Sequence, residues 1–203
     1  MNYLAIDTSG SHLTVVLSVN GKIYERFLPN SGVNHSVELM GCVDELFSAS
    51  NTTPYDIDVY CSVVGPGSFT GIRIGVSTVK GFADPTHKKV LSVTSFDTIA
   101  YNKTSGKVLA VINARHDNFY VCGYENGKVA FEPIFTNLEK VQEISKEYKL
   151  LSYEPIDGLI VEIVSPLEGL KNAINDKIGE ALDDINSVKP FYLRLSQAEE
   201  GRL

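Results

Sequence analysis

Two short strings carry the residue types that handle anions. The first is Ile6-Asp7-Thr8-Ser9-Gly10, directly after a short apolar run. Small hydroxyl residues and a glycine after a strand can turn backbone N–H groups around a phosphate, and the Asp7 carboxylate can hold a metal ion or a water. The same residues also suit a tight turn in which Asp7 and Ser9 bond their own backbone. The second string is Gly65-Pro66-Gly67-Ser68-Phe69-Thr70-Gly71-Ile72-Arg73-Ile74-Gly75. Here two glycines bracket a proline at a strand end and Ser68 is placed to cap a helix. That arrangement allows anion binding at a helix N-terminus, a tight helix–helix interface with a partner chain, or close packing of the helix on its own sheet. It lacks the GK[ST] ending of a Walker loop and misses GxGxxG by one residue. Glycines at 71, 75 and 81 give up roughly 1 kcal/mol each against alanine inside a helix, which argues for a packing or binding reason. Asp7, Thr8, Ser9, Gly65, Gly67 and Ser68 are therefore the candidate anion loop.

The elements that must position these strings follow from periodicity. Tyr3–Ile6 reads as a strand. His12–Val19 follows, with Leu13, Val15, Leu17 and Val19 on one face, and the Asn20-Gly21 hairpin signal leads back through Lys22–Leu28. From His35 to Ser48, Val37, Met40, Val43 and Phe47 step by three or four and predict a helix, with Asn34 or Ser36 as its cap. Ile57–Val64 is a strand ending at Gly65. The next helix runs through Ile72, Val76, Val79 and Phe82 and is expected to stop at Asp84-Pro85. A strand at Val90–Val93 and a helix at Phe96–Tyr101, capped by Ser95, complete a β-β-β-α-β-α-β-α order. That order matches a ribonuclease-H-like subdomain better than a plain doubly wound sheet.

A second unit is expected to begin near Gly106, after the polar stretch Asn102–Ser105. Strands are predicted at Val108–Ala114, Phe119–Tyr124 and Val129–Phe131, with Asn126-Gly127 as a hairpin turn. A helix at Leu138–Tyr148, short apolar runs at Leu150-Leu151 and Leu159–Val164, and a helix at Pro166–Ile174 follow. The chain thus reads as α/β, with a first subdomain at 1–101 and a smaller, truncated echo at 106–203 whose tail can pack back on the first.

Composition bounds the function. The 203 residues carry Lys+Arg 18 against Asp+Glu 25, a net charge of −7. Lys88-Lys89 is the one adjacent basic pair, so a self-sufficient grip on nucleic acid is not expected. Cys42, Cys61 and Cys122 are odd in number with no CxxC spacing and read as reduced thiols of a cytoplasmic protein. The histidines form no HxxxH or HExxH pair, so no metal site is expected, and His12 and His116 read as surface or capping residues. No apolar run reaches the roughly 20 residues a bilayer span needs, and Met1–Asp7 has no signal-peptide character.

Asp7-Thr8-Ser9, His35-Ser36, the Gly65–Gly75 string, Lys80-Gly81, Asn113-Ala114-Arg115 before Tyr120, and the tail Pro190-Phe191-Tyr192-Leu193-Arg194 resemble the bacterial TsaB (YeaZ) family. GPGSFTGxRxG is the specific part of that likeness. The resemblance implies an actin-like ATPase fold of two ribonuclease-H-like subdomains. It also implies a role in making N6-threonylcarbamoyladenosine at position 37 of tRNAs that read ANN codons. In that family the chain is a non-catalytic scaffold that binds and activates a TsaD-like catalytic subunit. A TsaE-like ATPase resets the assembly, tRNA is met only through the complex, and the chain forms a homodimer when alone. ATP is used by the partners; no cofactor and no catalytic residue is assigned to this chain. The helices at 35–48 and 69–82 would form the docking face, through Val37, Met40, Gly41, Asp44, Gly71, Arg73, Gly75, Val76 and Val79. Where the family often has IDAR, this chain has Ile112-Asn113-Ala114-Arg115, which removes a carboxylate.

Two other functions compete. An actin-like small-molecule kinase or ATPase would use Asp7 and the Gly65–Gly71 loop for phosphate, but phosphoryl transfer also needs a metal and a full nucleotide clamp, and the glycines of the second half stand isolated, without the Gly-Gly pair that clasps adenosine. A glycoprotease would need a nucleophile–base pair or a metal-activated water, and the sequence presents neither.

Overall fold

The computed structural model describes residues 1–194, which divide into two compact units. The first comprises Met1–Thr94 and Ile174–Phe191; the second holds Ser95–Ala173 and continues from Tyr192. The cut therefore falls ahead of the polar stretch at 102–105, because the helix at Ser95–Ala100 groups with the second unit, and again inside the helix at Pro166–Lys177.

In the first unit, β1 (Tyr3–Asp7), β2 (Leu13–Val19), β3 (Lys22–Leu28), β4 (Val59–Val63) and β5 (Lys89–Val93) form one sheet in the order β3-β2-β1-β4-β5. The Asn20-Gly21 turn, with both residues at positive φ, returns β2 to β3 in antiparallel pairing. β1 pairs antiparallel with β2 and parallel with β4, and β4 pairs parallel with β5. Two helices, α1 (His35–Ser50) and α2 (Phe69–Thr86), share one core with the sheet. Leu4, Ile6, Leu13, Val15 and Leu17 from the strands meet Leu39, Val43, Leu46, Ile72, Val76 and Val79 from the helices. β2 is buried along its whole length, so its alternation of Val with Thr and Ser does not mark a solvated face.

Two expectations need correction here. α2 does not stop at Asp84-Pro85 but runs to Thr86, with His87 left-handed behind it. A proline costs most inside a helix, where it removes a bond and crowds the preceding turn. Pro85 lies one residue from the end, and the Thr86 hydroxyl donates to the Phe82 carbonyl at 2.6 Å. The inward stripe of α1 is also rotated from the predicted one. His35, Leu39, Cys42, Val43, Leu46 and Phe47 are buried, whereas Val37 is 79 % exposed and Met40 44 %. Both stripes have helical spacing, and only the packing selects between them.

The segment 174–191 returns to the first unit. Leu182 exchanges backbone bonds with Val90 on the outer side of β5, Val188 enters the core, and the Phe191 N–H donates to the Val64 carbonyl at 2.8 Å.

The second unit repeats the topology. β6 (Lys107–Asn113), β7 (Asn118–Glu125), β8 (Lys128–Asn137), β9 (Lys149–Ser152) and β10 (Glu162–Ile163) are ordered β10-β9-β6-β7-β8, with antiparallel pairing on the β7–β8 side and parallel pairing on the β9–β10 side. α3 (Ser95–Ala100) precedes them, α4 (Leu138–Ile144) links β8 to β9, and α5 (Pro166–Lys177) follows β10. β8 is longer than the sequence suggests and α4 shorter. Between β9 and β10, in the place α2 takes in the first unit, Ile156, Leu159 and Val161 of an irregular segment cover the core. This is the truncation expected from the sequence.

Candidate functional site

β1 lies between β2, its antiparallel neighbour, and β4, its parallel neighbour, which the chain reaches only after β3 and α1. The crevice beyond the carboxyl ends of such strands is where open α/β sheets place ligands. Both singled-out strings lie there, and the structure locks them together.

Asp7 ends β1 and is fully buried. Its Oδ1 accepts the Ser9 N–H at 2.8 Å and the Ser9 hydroxyl at 2.7 Å, and its Oδ2 accepts from His12 Nε2 at 3.1 Å. Burial pushes the Asp7 carboxyl up, but the attraction and hydrogen bond of His12 and the two Ser9 donors outweigh it, leaving the group below its ordinary 3.8. Thr8 donates its hydroxyl to the Gly71 carbonyl at 2.7 Å. The Ser9 carbonyl accepts the Ser68 N–H at 2.7 Å, and the Ser68 hydroxyl caps α2 by accepting the Gly71 N–H at 3.2 Å.

The glycines have a steric reason. A Cβ on Gly67 would overlap the Ser9 carbonyl, and one on Gly71 would overlap the Thr8 carbonyl. One on Gly75 would sit 2.6 Å from the Thr8 hydroxyl and 3.3 Å from that of Ser62. Gly65, at φ +107° beside the cis Gly65-Pro66 bond, would meet the Phe191 carbonyl at 2.9 Å. Of the readings open for this string, the structure realises close packing of α2 on its own sheet.

The six candidate anion-loop residues thus converge, with Ser9, Ser68 and Gly71 N–H groups and both Asp7 oxygens engaged within the chain. The nine expected interface positions separate into two groups. Val37, Met40, Gly41 and Asp44 on α1 and Arg73 on α2 are exposed. Gly71, Gly75, Val76 and Val79 are buried in the first unit, because that side of α2 is its sheet-facing side. Beside Met40 lies an open groove of about 570 Å³ walled by Asp44, Phe47, Pro54 and Phe82. A Cβ on Gly41 would meet nothing within 4 Å.

His12 corrects its sequence reading. It is 4 % exposed and faces Asp7 rather than solvent. Its position five residues after Asp7, across a turn that opens a hairpin, was the available signal. His35, which the sequence marks only through the His35-Ser36 pair, opens α1, is 1 % exposed, and donates from Nε2 to the His12 carbonyl at 2.9 Å. Asn113 ends β6 as Asp7 ends β1, and accepts the Arg115 N–H at 2.8 Å. Arg194 stacks its guanidinium over Phe135 at 5.1 Å. Among the described residues no group of three or more His, Cys, Asp or Glu is placed to hold a metal ion, and no helix is long and apolar enough to cross a membrane.

Two repeated α/β units with this strand order define the actin-like ATPase class of fold. The chain superposes on YeaZ from Pseudomonas aeruginosa with a TM-score of 0.77, covering 95 % of this chain and 99 % of that one at 22 % identity. A family model described as "TsaD: tRNA N6-adenosine threonylcarbamoyltransferase" matches residues 29–157. The Escherichia coli protein named tRNA threonylcarbamoyladenosine biosynthesis protein TsaB is 30 % identical over 73 % of this chain and 69 % of its own. The Bacillus subtilis protein of the same name is 26 % identical over 98 % and 96 %. Within the actin-like class, this chain belongs to the TsaB (YeaZ) family.

Proposed function

We propose that this chain serves the formation of threonylcarbamoyladenosine in tRNA as a scaffold subunit that docks on a TsaD-like catalytic subunit and activates it. The names of its relatives support the pathway. One observation carries the scaffold role: the Asp7–Ser9 and Gly65–Gly75 strings are engaged in building the first unit, while α1 and the residues just before it turn apolar side chains outward. Val33 is 91 % exposed, Val37 79 % and Met40 44 %, next to the small residue Gly41 and the Phe47–Phe82 groove. Contiguous exposed apolar surface of this kind suits a protein partner. The docking face is read as Val37, Met40, Gly41 and Asp44 with Arg73, the α2 positions facing the sheet being excluded by burial. In the absence of the partner the same stripe supports a homodimer. With a net charge of −7, tRNA contact falls mainly to the partners. A TsaE-like ATPase and a cytoplasmic setting complete the reading.

The test mixes this chain with a TsaD-like protein in size-exclusion chromatography with light scattering, followed by a tRNA modification assay. A Val37→Asp/Met40→Asp variant should fold normally, lose the mixed complex and lose activation; a central apolar contact is worth about 2 kcal/mol or more, roughly a 30-fold loss of affinity. An intact complex with the variant would sink this docking face. ATP turnover by the chain alone, with no complex, would favour the actin-like kinase reading.

A further inference from the structure

The start of α1 is held by two bonds to the turn between β1 and β2. Gly32 N–H donates to the Ser11 carbonyl at 3.0 Å, and His35 Nε2 donates to the His12 carbonyl at 2.9 Å. That second bond fixes the tautomer: the proton is on Nε2, and Nδ1 carries a lone pair. Nδ1 is buried without a hydrogen-bond partner and faces the backbone of Gly71, whose added Cβ would lie 3.2 Å from it. Three elements therefore meet at one imidazole. The β1–β2 turn accepts its hydrogen bond, α2 closes over its bare nitrogen, and α1 begins on its backbone.

We infer that His35 is an acid-released latch: neutral, it pins the start of α1 to the β1–β2 turn beside the first turn of α2, and protonated, it lets that corner open. The physical reason is the second ring nitrogen. Protonation places an N–H on Nδ1, a buried nitrogen that has no hydrogen-bond partner, and a buried charged donor without a partner is costly. The charged and titratable groups around the ring are Asp7 at the end of β1, His12 in the turn and Glu38 on α1. Asp7 is engaged by Ser9 and His12, and Glu38 accepts the Ser31 hydroxyl at 2.5 Å. α2 meets the ring with the Gly71 backbone. Burial is the largest influence and holds His35 below its ordinary 6.5, with His12 adding to it, against the bond to the His12 carbonyl and the pull of Asp7 and Glu38. The sign follows: the open form takes up the proton first, so the corner is closed above 6.5 and loosens as pH falls below it. Val37 and Met40 lie within the first two turns beyond the latch, so opening would also disturb the face proposed for docking; the latch itself does not depend on that proposal.

The test follows the histidine side-chain resonances of the full chain by NMR from pH 8 to 5, alongside hydrogen exchange of the amides at 32–39 and 71–72, corrected for intrinsic chemistry. His35 should titrate below 6.5, and the opening of both segments should rise about tenfold per pH unit through the window between its open and closed values, the slope for one proton. His35→Gln keeps a donor for the His12 carbonyl and should remove that dependence. Normal titration of His35, titration without change in exchange, or the same loosening in His35→Gln would each overturn the latch. The last result would assign the trigger to Asp7, His12 or Glu38. If the variant does not fold, the resonance and exchange data on the native chain decide alone.

Discussion

The first and second units run the same strand order, yet their corresponding strand ends are treated differently. Asp7 closes β1 and Asn113 closes β6, and each accepts the backbone N–H two residues on. At Asp7 the resemblance goes further into the core. The carboxylate is buried, and His12 with Ser9 compensates it. Asn113 is exposed, neutral, and leads into a turn in which Arg115, His116 and Asp117 all have positive φ. Burial is the deciding variable, since a charge withdrawn from water must be matched where it lies, and an exposed amide need not be. The units differ in the same sense at their second crossover. α2 lies flush on β1 and β4 because Gly71 and Gly75 lack side chains, whereas the second unit covers the matching space with the apolar residues of a loop.

The contrast breaks most directly at Gly71. Gly71→Val drives a side chain into the Thr8 carbonyl, which is backbone and cannot turn aside. A loss of about 3 kcal/mol or more is expected in urea unfolding, near the upper end for a single substitution. On the exposed side of the helices, Gly41→Ala and Gly81→Ala meet open space and should stabilise by up to about 1 kcal/mol. Equal effects at buried and open glycines would refute the packing account of this string.

Next in size is the exchange of the two strand ends. Asp7→Ala leaves His12 buried without its carboxylate and should cost about 3 kcal/mol. Asn113→Asp, its exposed counterpart, should stay within about 0.5 kcal/mol. Thermal melts of both variants test this; similar penalties would mean that burial does not separate the sites.

Acid sharpens the same comparison. Because Asp7 is held below 3.8 in the folded chain, its contribution is present above that pH and lost as pH falls through the folded value. The stability of Asp7→Asn should therefore fall less steeply below pH 3.8 than that of the native chain. Parallel acid limbs would show that Asp7 is not the group responsible. The smallest effect is expected at Ile160, 98 % exposed on the segment that stands in for a helix, where Ile160→Ser should shift stability by no more than about 0.5 kcal/mol.

Much of the fold was legible because its signals are local. Asn20-Gly21 and Asn126-Gly127 set two hairpins, Ser68 capped α2, and the order of strands and helices identified the class of fold before any contact was known. The Gly65–Gly75 string marked a place where backbones approach. Its role was not legible, since an anion cradle, a partner interface and a packed helix all ask for the same glycines. Distances to Thr8 and Ser9 show the close packing, and those residues lie more than fifty positions away. The stripe of α1 that faces inward, the pairing of His12 with Asp7, and the seat of His35 against Gly71 were likewise decided by tertiary structure. Each depends on which groups lose water together, and sequence spacing alone does not contain that information.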